Sequence, residues 1–166
     1  MPPVSLTFVV GRAGDVFGPA LADAVDAVLR GRFPALSLRD GDPYRSEPVE
    51  FTGWRDLSRR APLLAGIDPY QAVFVPAEVT AVETLPIPNA ADPLQVASLA
   101  RLLDALHAFA AGAALPTDDV ELMTLAAKYL EDDLLISDDL DVQTYVQLML
   151  SAKQATATGR ALWVVA

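Results

Sequence analysis

The chain has 166 residues and a formal net charge of −10, with 52% apolar and 20% charged residues. That length fits one domain, and that composition excludes intrinsic disorder. Cysteine is absent, which excludes disulfides, thiolate nucleophiles, iron–sulfur clusters and cysteine-based zinc sites together.

Val4–Val10 is rich in β-branched and aromatic residues and ends at Gly11, so it reads as a buried strand. The turn Gly11-Arg12-Ala13-Gly14-Asp15 leads into Phe17–Leu29, where Phe17, Leu21, Val25 and Leu29 recur at helical spacing. Glycines 11, 14 and 18 do not form G-x-G-x-x-G, and no G-K-[ST] follows them, so a turn and cap outweigh a nucleotide site.

Residues 31–53 are irregular, with short strands expected at Ala35–Leu38 and Val49–Thr52 around the turn Asp40-Gly41-Asp42-Pro43. A short helix follows, with Trp54, Leu57, Ala61 and Leu64 on one face. Tyr70–Val75 reads as a second strand and Thr80–Leu85 as a weaker one.

Asp92–Leu115 reads as one long amphipathic helix, the most buried of the chain. Asp92 is its expected N-cap, Pro93 its first residue and Gly112 its stop. Two more helices are expected. In the first, about 117–134, Val120, Met123, Ala127, Leu130 and Leu134 form the expected core face. The second, about 139–158, ends at Gly159 and presents Val142, Tyr145, Val146 and Met149. Leu162–Val165 returns as a strand beside the first one.

These elements predict a single α+β domain over 1–166. Its mixed sheet has four to six strands, including 4–10, 70–75 and 162–166, and three consecutive C-terminal helices help to cover it. Met1-Pro2-Pro3 lacks a basic n-region, and no apolar run is long enough to span a bilayer. The expectation is therefore a soluble cytoplasmic protein that touches no membrane.

Charge is distributed unevenly. Residues 1–60 carry eight arginines and eight acids, whereas residues 61–166 carry four bases and fourteen acids, so the whole net charge lies in the second part. Direct nucleic-acid binding is disfavoured and a cationic protein partner would be attracted instead, while the plainer reading is that the charge keeps an apolar domain soluble. The one basic patch is Arg55, Arg59 and Arg60, which either pairs with the acidic half or holds an anion.

Nine acids lie between Thr117 and Asp141. Asp118, Asp119, Glu121, Asp138, Asp139 and Asp141 fall at helix starts, where carboxylates satisfy free N–H groups and the dipole. Glu131, Asp132 and Asp133 fall at a helix end, where acids oppose the dipole, and Lys128 offsets only one of them. Three readings compete for this triplet: first a merely solvated helix end, then a docking surface for a basic protein partner, and last a divalent-cation site. Asp139-x-Asp141-x-Gln143 lacks the glycine of an EF-hand, and its twelfth position is Leu150.

His107 is the only histidine, at the edge of an apolar face, and is expected to be half-buried and structural. No G-x-S-x-G marks a nucleophile elbow. Trp54, Trp163, Tyr129 and Tyr145 fit core positions. No catalytic residue, metal or cofactor is assigned. The leading expectation is a small acidic protein-binding module, an inhibitor or an antitoxin- or immunity-like factor that masks a basic partner. The alternatives are a carboxylate-based, Mg²⁺-using small enzyme and a structural, homo-oligomeric subunit.

Overall fold

The structure, a computed structural model, describes residues 5–131 and 139–166. The chain folds as an α+β protein around one mixed sheet of seven strands with helices on both faces. Strands β1 (Ser5–Gly11), β2 (Tyr44–Arg45), β3 (Val49–Glu50), β4 (Ala72–Val75), β5 (Glu83–Leu85), β6 (Leu94–Ser98) and β7 (Ala161–Val165) run in the order β2-β1-β7-β4-β6-β5, and β3 also pairs β1. Among the described residues, only β4 and β6 pair in parallel.

Seven strands occupy six positions because β2 and β3 share one edge. Val9 pairs Arg45 and Leu6 pairs Val49, so one extra residue sits on the edge strand between those pairs. This is a β-bulge opposite Phe8. Ser46 holds it: its N–H donates to Phe8 O at 2.9 Å, and the Phe8 N–H donates to Ser46 Oγ at 2.9 Å. A side-chain oxygen thus replaces the missing backbone acceptor.

The alternation of the strands sorts the core into two. Leu6, Phe8, Val10, Phe74, Leu162 and Val164 face one layer of helices, while Val9, Val73, Val75, Val96 and Trp163 face the other. The second layer is helix α1 (Pro19–Arg32), which buries Val25 and Leu29, with the chain from Phe33 to Leu38 packed beside it. Residues 35–38 form no strand. They make an irregular strap that carries Leu36 and Leu38 onto α1, and beyond it Arg39 N–H donates to Gly159 O.

The first layer holds α2 (Phe51–Ser58), α3 (Pro62–Ala65), α4 (Leu99–Ala113), α5 (Asp119–Glu131) and α6 (Leu140–Thr158). Trp54, Leu57, Ala61 and Leu64 are all buried, although the helix breaks between α2 and α3. The centre of this layer is α6, not α4, because α2, α4 and α5 all pack on it. Its Thr144 and Ser151 are buried without penalty, since each hydroxyl donates to the carbonyl four residues back. Gly159 ends α6 in the left-handed conformation at φ 65°.

The long helix expected from Asp92 begins only at Leu99. Residues 94–98 are strand β6, which buries Leu94 and Val96 and pairs β4 on one side and β5 on the other. Ser98, not Asp92, is the N-cap, its Oγ accepting from Arg101 N–H at 3.3 Å. Gly112 lies inside the helix, and Ala114 ends it at φ 54°.

Candidate interaction surface

Helix α5 starts where Asp118 Oδ2 accepts from Glu121 N–H at 3.2 Å, the capping role expected of an acid at that place. Two contacts from α6 fix this end. Tyr145 Oη donates to Pro116 O at 2.6 Å, and Lys153 Nζ donates to Thr117 O at 2.6 Å and also pairs with Asp119. Burial pushes the Tyr145 phenol up to about 12.

The helix turns an unexpected face to the core. Leu122 is fully buried, and Leu125 and Ala126 pack partly against the same cluster. Val120, Met123 and Leu130, expected inside, are 71%, 62% and 58% exposed, and Ala127 between them is exposed as well. Eight of the thirteen residues of α5 are apolar, enough for two faces. Periodicity therefore identifies an apolar stripe without saying which one meets α6.

The outward stripe has spacings of three, four and three residues, those of a helix–helix seam. Exposed Asp118, Asp119 and Glu121 lie at its start. Its other end opens onto a cleft of about 130 Å³ between α5, α6 and the bulged edge, lined by Tyr129, Leu130, Glu47, Val49, Gln143 and Gln147. Glu47 is exposed, while its N–H donates to the buried Gln147 Oε1 at 3.2 Å. Burial raises the Tyr129 phenol above its usual range, and the neighbouring Asp139 and Asp141 carboxylates raise it further.

Of the acidic triplet, Glu131 is the last residue of α5, and Asp132 and Asp133 lie outside the described residues. The arginine patch is divided among separate partners. Arg60 pairs with Asp141 at 3.3 Å and lies over the Phe109 ring, Arg59 approaches Asp56 at 3.6 Å, and Arg55 is exposed in the last turn of α2. His107 is exposed on α4 rather than half-buried, because Leu106 and Phe109 take the inward positions. Trp54, Trp163 and Tyr145 are core residues.

A second depression, about 440 Å³, lies between α1 and the 88–92 loop. Gln71 lines it, but its Nε2 is committed to Asp92 O and Pro93 O. A third, about 320 Å³, adjoins it and is lined by Asp68, Tyr70, Asp92 and Gln95. His107 lines none of the three. Among the described residues, no three His, Asp or Glu side chains converge as metal ligands, and no helix is long and apolar enough to cross a membrane. No protein-family model, no curated protein and no solved structure matches the chain.

Proposed function

We propose that the chain is a protein-binding module and that the outward face of α5 is its binding surface. The observation that carries this reading is the stripe Val120, Met123, Ala127 and Leu130, exposed along a helix whose opposite side is packed on α6. Large apolar side chains aligned at seam spacing on a free helix face mark a surface that meets another protein. The acidic half of the chain, including Glu131, Asp132 and Asp133, favours a basic partner by steering its approach. An inhibitor or antitoxin- or immunity-like factor, working in the cytoplasm, is the form of this reading that the charge supports best.

The test is affinity capture from the source cell with wild type and with a Met123→Glu, Leu130→Glu double variant, at low and high salt. The reading expects a protein retained by wild type, lost with the variant, and bound by purified wild type with at least ~100-fold higher affinity than by the variant. Equal capture by the two forms removes α5 as the binding face.

A further inference from the structure

Resting on that reading, we propose that the occupant of the α5 face is an amphipathic helix of a basic protein, carrying Lys or Arg at both ends of its apolar seam, and not a second copy of this chain. Three observations converge. The stripe Val120, Met123, Ala127 and Leu130 is spaced as the a and d positions of a heptad, the pattern that receives another helix. Acids from separate elements bound it at both ends: exposed Asp118 and Glu121 at the start, where Asp119 is already paired with Lys153, and exposed Glu47 of the bulged edge and Asp139 before α6 at the finish.

The cleft of about 130 Å³ at Leu130 has room for one long side chain and presents the Tyr129 ring, the Gln143 and Gln147 amides and the neighbouring Glu47 carboxylate. Those groups suit a lysine or arginine from the incoming helix.

The same distribution argues against self-association. A second α5 laid on the first, parallel or antiparallel, sets acids against acids at both ends; Lys128 is the only base in the helix, and Lys153 of α6 is already committed to Asp119 and Thr117 O. Like charges held together oppose pairing. The net charge of −10 adds to this.

The experiment uses the full chain and two labelled synthetic helices of roughly 20 residues with the same Leu/Ile seam. One is flanked by Lys at both ends and the other by Glu. Binding is followed by fluorescence anisotropy, and the chain alone is examined by sedimentation. The Lys-flanked helix is expected to bind at least about tenfold more tightly at low salt, with the gap closing near ~1 M salt, where the screening length falls to ~3 Å.

Met123→Glu with Leu130→Glu abolishes binding without unfolding, since both positions are exposed. Glu47→Lys with Glu121→Lys reverses the preference between the two helices. Equal binding of both helices overturns the proposed partner chemistry while leaving α5 as a binding face. Failure of both to bind overturns the proposal and the face together. A dimer in sedimentation that Met123→Glu dissociates assigns the face to a second copy.

Discussion

Gly53 of α2 and Thr144 of α6 touch backbone to side chain: a Cβ at position 53 would overlap Thr144 Oγ1 and stand 2.5 Å from Leu140 O. The crossing of these helices depends on that missing methyl, because the obstructing groups are a backbone carbonyl and a hydroxyl already bonded to it. Gly53→Ala is expected to cost about 1–3 kcal/mol by overpacking, despite the better helix propensity of alanine. Urea unfolding measures it, and Thr144→Ala in the same chain recovers part of the loss only if this contact is the cause.

The two faces of α5 separate cleanly by mutation. Leu122→Ala removes a fully buried side chain and is expected to cost about 2–5 kcal/mol. Met123→Ser and Leu130→Ser, on the exposed side, should each stay within about 0.5 kcal/mol of wild type. The reverse ranking in chemical denaturation would place the other face of the helix inward.

Tyr145 couples α6 to the start of α5 through the Pro116 carbonyl. Its phenol rises from 10 to about 12 on burial, so the folded state favours the protonated form. The associated stability is present below pH 10 and lost as pH climbs from 10 toward 12, a fall of roughly 2–3 kcal/mol. Tyr145→Phe is expected to flatten that part of the pH–stability curve. At neutral pH it should cost about 0.5–1.5 kcal/mol for the lost hydrogen bond.

Ser46→Ala leaves the buried Phe8 N–H without its acceptor at the bulge. The expected cost is about 1–3 kcal/mol, with faster amide exchange at Phe8 than at Val9 or Val10. Ser46→Thr, which keeps the oxygen, should retain most of the protection.

Strands β1, β4 and β7 are legible from β-branched and aromatic runs, the first two ended by Gly11 and Pro76 and the third set off by Gly159 before it. β6 is not, because Leu94-Gln-Val-Ala-Ser joins α4 without a glycine or proline and its leucine and valine extend the apolar pattern of the helix backward. Asp92-Pro93 imitates a helix start, although Ser98 is the actual cap. At the candidate surface, the spacing of Val120, Met123, Ala127 and Leu130 is visible in sequence, where it predicts a core face, but the structure turns it outward. The two apolar faces of α5 differ little in composition, and only contact with α6 decides between them. The bulge at Ser46 left no periodic signal, since one inserted residue in a strand interrupted at Pro48 resembles a loop.

The strand order has a consequence for how this protein is made. β2, β3 and β1 form one part of the sheet and β4, β6 and β5 the other, and β7 alone hydrogen-bonds to both. A nascent chain can therefore assemble two partial sheets during synthesis, but they cannot be joined until residues 161–165 have left the ribosome. Until then β1 and β4 each expose an unpaired apolar edge, the kind of template on which neighbouring chains aggregate. Deleting residues 161–166 should thus be far more damaging than the length of that segment suggests.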